Sequence, residues 1–290
     1  MHVLDHLLAR AARQDAVLTW RDVAAAGASR ALVRRHLRAG AWEPLLRGTH
    51  LVDPTRTGHL LQRSWARSAV AAVPGAVVGL GSAAALHDIA GVPRTGLVDV
   101  VVGGSVVAGS RRLAVHRLQL AAQDVVDAGG IPVTSAVRTL ADLVPRLPRP
   151  DALAVLDSAL RSGCVDVGGL AEAAHRAAGR RGCRAVQDLW GLADARAESP
   201  LESRARLRCV DAGLPPDELQ LPVRDEHGHL SCAPTCRSAP GGADGPGCCC
   251  WRPTAAPSTT LPRPSTGTGG APTRWSPSGT PWCGARGGTP

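Results

Sequence analysis

The side chains best suited to chemistry in this chain are arginines, and they gather early. The stretch SRALVRRHLRAGAWEPLLRG carries Ser29, Arg30, Arg34, Arg35, Arg38 and Arg47. A guanidinium is charged throughout the physiological pH range and offers a planar fork of donors that matches phosphate oxygens. The chemistry implied is capture of a polyanion rather than bond making. His87 and His116 invite metal or acid–base chemistry. Neither has a ligand or base partner at a recognisable spacing, so both read as structural. Gly79-Leu80-Gly81-Ser82 shares fragments with phosphate loops and nucleophile elbows but completes neither motif. Glu202 follows Ser199 and Pro200 in capping-box order, with proline at the first helical position, which gives it a structural task.

The arginines need a scaffold, and residues 1–55 have the rhythm of a winged helix-turn-helix. Val3, Leu7 and Leu8 lie at helical spacing within Val3 to Arg13. Thr19 is an N-cap for a short helix to Ala26, and Ser29 caps a third helix that stops at Gly40. Leu32, Val33 and Leu37 face the core, leaving Arg30, Arg34, Arg35 and Arg38 on or near the exposed side. Two short apolar runs in AWEPLLRGTHLVD flank Arg47-Gly48 as a wing hairpin would. A helix-turn-helix puts its second helix into the major groove. Ser29 and Arg30 are then expected at base edges, with Arg34, Arg35, Arg38 and Arg47 on the backbone of double-stranded DNA. The competing reading is a solvated basic helix. Short helices, a capped basic third helix and a hairpin directly after it together favour DNA.

Residues 60–145 read as a mixed α/β middle domain. LVDVVVGG and LAVHRLQL have strand character, GSAAALHDIAG that of a short helix, and Ser135 caps SAVRTLADLV. From 150 to 230 the pattern is helical. Asp151 opens a helix with Leu153, Leu156 and Leu160 on one face, closed by Gly163, and further helix is expected from Gly169 to Ala195. The fold class expected is α+β.

Composition agrees with a polyanionic partner. The 290 residues give room for two domains or more and carry a net charge of +9 that comes entirely from arginine, since lysine is absent. Asn, Phe and Tyr are absent too, which reads as a GC-rich genome rather than functional avoidance. No apolar run has membrane-spanning length and Met1 to Asp15 lacks signal-peptide order, so no membrane partner and a cytoplasmic location are expected. Six of the nine cysteines follow residue 230; Cys164, Cys183 and Cys209 read as ordinary buried thiols.

The segments WEPLLRGTHLV, SAAALHDIAG, VHR, GIPVTSAVRTLADL, LDSALRSG and AESPLESRARLRCVDAGLPP, in that order, resemble a group of actinobacterial proteins. That group joins an N-terminal domain like that of the AbiEi abortive-infection antitoxins to a domain similar to the very-short-patch-repair endonucleases. The resemblance covers roughly residues 1 to 230 and is most specific from SPLESR to AGLPP. It implies autorepression, a cognate toxin as a further partner, and a nuclease core in which a glutamate matching Glu202 joins an Asp and a Glu-x-Asp-Gly stretch to hold Mg2+. A hard cation there polarises the phosphoryl oxygen and generates the attacking hydroxide. The Asp and the Glu-x-Asp-Gly are missing after Leu230. The chain as it stands is therefore expected to bind no metal and cleave no DNA, with Glu202 the one catalytic residue remaining of the pattern.

Residues 231–290 hold one Leu, no Val or Ile and a single acid, Asp244, too little apolar surface to offset the entropy of ordering. Disorder is expected there, and adjacent cysteines at 248–250 are poorly aimed for a tetrahedral zinc site. Taking the third base of each codon with the first two of the next converts Cys248-Cys249-Cys250-Trp251 into three leucines. The same frame permits Glu-Ala-Asp-Gly over Trp251–Ala255 and Leu-Arg-Ala-Asp-Leu over Ser231–Cys236. GPGCCCWRP thus reads as a metal-binding strand out of frame after loss of one base near codons 225 to 231. Restoring the frame restores a Mg2+-dependent endonuclease as the alternative function.

Overall fold

The computed structural model describes residues 3–104, 109–216, 218–220, 223–224, 230–232 and 236–237. Helix α1 (Val3–Ala12) leads through Asp15 and Ala16, both at positive φ (52° and 58°), into strand β1 (Val17–Thr19). Thr19 ends the strand and caps α2 (Trp20–Ala25): its hydroxyl accepts from the Asp22 amide while the Asp22 carboxylate accepts from the Thr19 amide. Ser29 caps α3 (Arg30–Arg38), accepting from the Leu32 amide at 3.2 Å. Strands β2 (Glu43–Pro44) and β3 (Thr49–Leu51) form a hairpin, and β1 pairs antiparallel on the other edge of β3.

The core of this first part is Leu7, Ala11, Leu18, Val23, Val33 and Trp42. Val3 and Leu8, expected to share the buried face with Leu7, are each 42% exposed, because Ala11 rather than Leu8 continues the inward stripe. Leu32 and Leu37 are half-buried around Val33, which alone of the three is fully enclosed.

The middle part opens with α4 (Gly58–Ala72), β4 (Val77–Val78) and α5 (Leu80–Leu86), followed by β5 (Val98–Val102) and β6 (Leu113–Arg117). Strands β7 (Val125–Asp127) and β8 (Pro132–Thr134) complete a mixed sheet of order β6-β5-β4-β8-β7. The valine run of β5 shows why this sheet sits between layers. Val98, Val100 and Val102 pack in one cluster with Ala69 of α4 and Val73 just beyond it, and Val101 packs in another with Leu80 and Leu140. Side chains alternate faces along a strand, and both faces here are apolar. Ser135 caps α6 (Ala136–Leu143), accepting from the Arg138 amide.

Helix α7 (Arg149–Arg161) starts two residues before Asp151, which falls in its first turn, where a carboxylate suits the helix dipole. Helix α8 (Val167–Ala177) follows. The continuous helix expected from Gly169 to Ala195 does not form: the chain turns at Gly182 (φ 90°), passes through a short 3-10 turn at Cys183–Val186 and resumes as α9 (Leu189–Leu192). Helix α8 stops at Ala177 with Gly179 (φ 78°) just beyond it, and Gly182 then lies so close to the Pro145 carbonyl oxygen that a Cβ there would overlap it, so a local glycine stop and a distant contact together break the helix. Helix α10 (Pro200–Asp211) is capped by Ser199 and packs along α7.

Buried and half-buried ion pairs tie these parts together. Asp15 accepts from Arg63 and Arg67 of α4 at 2.8 and 2.5 Å. Arg138, 7% exposed, bridges Asp124 and Asp142, which also receive Arg176 and Arg180. Arg206 of α10 donates to both carboxylate oxygens of Asp157 of α7 at 2.7–2.8 Å and to the Leu192 carbonyl. The described chain closes with two antiparallel pairs. Strand β9 (Glu218–Leu219) pairs with β12 (Cys236–Arg237), and β10 (Val223–Arg224) with β11 (Leu230–Cys232). The tail expected to lack structure from 231 thus contributes backbone to two of these pairs. GPGCCCWRP and the rest of the tail lie outside the described residues. Among the described residues no helix is long and apolar enough to cross a membrane.

Candidate nucleic-acid interface

All six arginine-stretch residues singled out by sequence are exposed: Ser29, Arg30, Arg34, Arg35 and Arg38 along α3 and its cap, and Arg47 at the β2–β3 tip. Arg30, Arg34 and Arg38 recur every four residues and so form one stripe on the helix surface, with Arg35 beside it. Like charges at this spacing destabilise a helix by about 0.2–0.5 kcal/mol per pair. None of these arginines joins an ion pair among the described residues, whereas Arg63, Arg67, Arg138 and Arg206 all do. The stripe faces solvent.

The hairpin tip is held next to α3 through one side chain, Trp20. Its indole lies under the Arg30 guanidinium, 5.6 Å from ring centroid to Cζ, a cation–π geometry. Its amide donates to the Gly48 carbonyl at 3.1 Å, and a Cβ on Gly48 (φ 81°) would come within 3.3 Å of the ring, so glycine lets the wing close onto it. His50 meets the same indole edge-on at 5.1 Å. The tip is further fixed by Thr49, whose hydroxyl and carbonyl accept from the Leu46 and Leu45 amides. His50 is 6% exposed with both ring nitrogens unpartnered among the described residues, and burial holds it below the ordinary imidazole range, hence neutral at pH 7.

Ser29 is committed as an acceptor to its helix, leaving its hydroxyl proton to donate outward. Trp20 was not singled out by sequence; the signal was a tryptophan at the first position of a capped helix in a chain with no Phe or Tyr.

The remaining candidates stand apart from this surface. Glu202 accepts from the Glu198 amide at 2.8 Å and from Gln220 Nε2 at 2.7 Å, and its amide donates to Ser199 Oγ, so all its hydrogen-bond partners come from residues 198–220. His87 Nε2 meets the Thr134 carbonyl at 2.7 Å. His116 has a carboxylate after all, Asp99 at 2.8 Å across the parallel β5–β6 pair, a partner that sequence spacing does not show. Among the described residues no three His, Cys, Asp or Glu side chains are grouped to hold a metal.

No family model matches the chain. Two proteins of Mycobacterium tuberculosis, from strains CDC 1551 and H37Rv and each described as uncharacterized, are 38% identical to it over 154 residues, 53% of this chain and 55% of each of them. The chain spans about half the length of the curated relatives it matches. Among solved structures, the crystal structure of the Rv2827c protein from the same organism aligns with a TM-score of 0.42 at 17% identity, over 78% of this chain and 86% of that one.

Proposed function

We propose that residues 3–55 are a winged helix-turn-helix that binds double-stranded DNA and represses the promoter upstream of its own gene. The observation that carries this reading is the exposed Arg30-Arg34-Arg38 stripe, free of carboxylates and braced through Trp20 to the hairpin that bears Arg47. With α3 in the major groove, Ser29 and Arg30 meet base edges, and Arg34, Arg35, Arg38 and Arg47 hold phosphates. Arginine forks bind phosphate oxygens two at a time, and counterion release supplies affinity independent of sequence.

The test is fluorescence anisotropy of the full chain with labelled duplex from its upstream region, against scrambled duplex, at low and at physiological salt. Binding of the upstream duplex at least tenfold tighter than the scrambled one is expected. Absence of any binding at low salt would sink the reading. The nuclease alternative rests on Glu202, whose carboxylate already serves two donors. Residues 251–255, over which a restored frame permits the Glu-x-Asp-Gly partners, lie outside the described residues.

A further inference from the structure

The hairpin that carries Arg47 also forms one wall of a groove whose opposite wall belongs to the middle part of the chain. The groove is shallow and open, about 540 Å³ between Pro44–Gly48 on one side and Ser110, Arg111 and Arg112 on the other, with His50 among its lining. Three arginines line it and no carboxylate does; the hairpin's one acid, Glu43, lies outside the lining. Arg111 and Arg112 are exposed and, like Arg47, join no ion pair among the described residues.

The wall is held by local contacts. Ser110 and Leu113 exchange backbone hydrogen bonds at 3.0 and 3.2 Å, the Ser110 hydroxyl accepts from the Arg112 amide, and the Arg112 guanidinium lies over the Trp65 ring at 5.4 Å. A stacked guanidinium has surrendered part of its rotamer freedom while keeping its charge and its donors, the preorganisation that anion binding rewards. Gathering three unpaired cations into one groove raises their mutual repulsion, which an anion relieves.

We propose that this groove seats the phosphate backbone of the DNA beyond the wing, so that Arg111 and Arg112 extend the interface of α3 and Arg47 onto flanking phosphates. The inference rests on the DNA-binding reading above and adds to it a middle part that contacts the nucleic acid. Each phosphate neutralised contributes about 0.9 to the slope of log K against log salt.

The experiment is anisotropy of the full chain with the upstream duplex across a salt series, for wild type, Arg111→Gln, Arg111→Gln/Arg112→Gln and Arg34→Gln/Arg38→Gln. Thermal melting verifies each fold, and Arg111→Gln touches no structural contact. The slope is expected to fall by about 0.9 for the single variant and about 1.8 for the groove pair. The pair should also weaken binding at least fivefold, and shortening the duplex ends should abolish the difference between wild type and the pair. Groove variants with wild-type slope and affinity, while Arg34→Gln/Arg38→Gln weakens binding, would overturn this inference and leave the helix reading standing. Wild-type chain that binds no duplex even at low salt would overturn both. Groove variants that lose binding to poly-glutamate but not to duplex would assign the groove to an acidic protein, and the inference would fail.

Discussion

Removing the Asp157 carboxylate should loosen α10 from α7 at a cost that the geometry allows one to estimate. Asp157 is 1% exposed and Arg206 6%, and the two are joined by a two-oxygen contact at 2.7–2.8 Å. Asp157 also accepts from the Asp194 amide at 2.8 Å, the turn that feeds the chain toward α10. In Asp157→Ala the buried guanidinium keeps the Leu192 carbonyl and the more distant Asp194 charge but loses its direct ion-pair partner, a defect that costs about 3–5 kcal/mol. For a unit of this size that corresponds to a fall in Tm of roughly 6–20 °C. Replacing both partners by apolar side chains, Asp157→Leu with Arg206→Met, removes the stranded charge and should recover most of the loss, because such pairs gain little net stability over well-packed hydrophobes. Urea denaturation followed by circular dichroism reads both. If Asp157→Ala unfolds within about 1 kcal/mol of wild type, or the double variant is no better than the single one, the argument that desolvation dominates this contact is wrong.

Three further outcomes are expected. Arg34→Ala/Arg38→Ala should weaken binding to all duplexes alike and lower the salt slope by about 1.8, while Arg30→Ala should flatten the preference at one base pair by about 1–3 kcal/mol, as read by anisotropy on single-substituted duplexes. Gly182→Ala should destabilise the fold by at least ~1 kcal/mol from its backbone conformation alone, with the overlap on Pro145 adding to it, measured as a drop in Tm. Burial raises the Asp15 carboxyl, but the hydrogen bonds and charges of Arg63 and Arg67 outweigh it and hold the group below the usual carboxylate range. The stability this gives is fully present above the unfolded value of about 3.9 and is lost as pH falls through the lower folded value. Asp15→Asn should therefore be less stable than wild type at pH 7 and converge toward it below pH ~4; parallel acid titrations of the two would refute the assignment.

The parts of this fold legible in sequence are those fixed by local hydrogen bonds. Thr19, Ser29, Ser135 and Ser199 each accept from an amide three residues on, so the cap and the helix start can be read from four adjacent positions. The arginines of α3 could be placed outside for the same reason, since Val33 and its neighbours fix the inward face. What was not legible depends on partners far along the chain. Trp20 acts through Gly48 and His50, Asp15 through residues 48 and 52 positions away, and Asp157 through Arg206, 49 positions away. The approach of Gly182 to Pro145 is likewise invisible in the local pattern, although Gly179 (φ 78°) marks the end of α8, and β1, three residues long, is too short for alternation to announce a strand.

The Asp15 contact bears on where the chain could be cut. Besides its two arginines, the Asp15 carbonyl accepts from Ser64, and Thr49 of β3 shares a 2.5 Å hydrogen bond with Ser68, so α4 serves as a common beam for the basic face and the sheet beyond it. A fragment ending at residue 55 would lose these partners of Asp15 and Thr49, and one that runs through Ala72 would keep them. Helix α4 also supports the groove, since its Trp65 lies beneath Arg112. On the DNA-binding reading, this common support spaces the α3 stripe from Arg111–Arg112, and the protein would select its binding site by length as well as by letter.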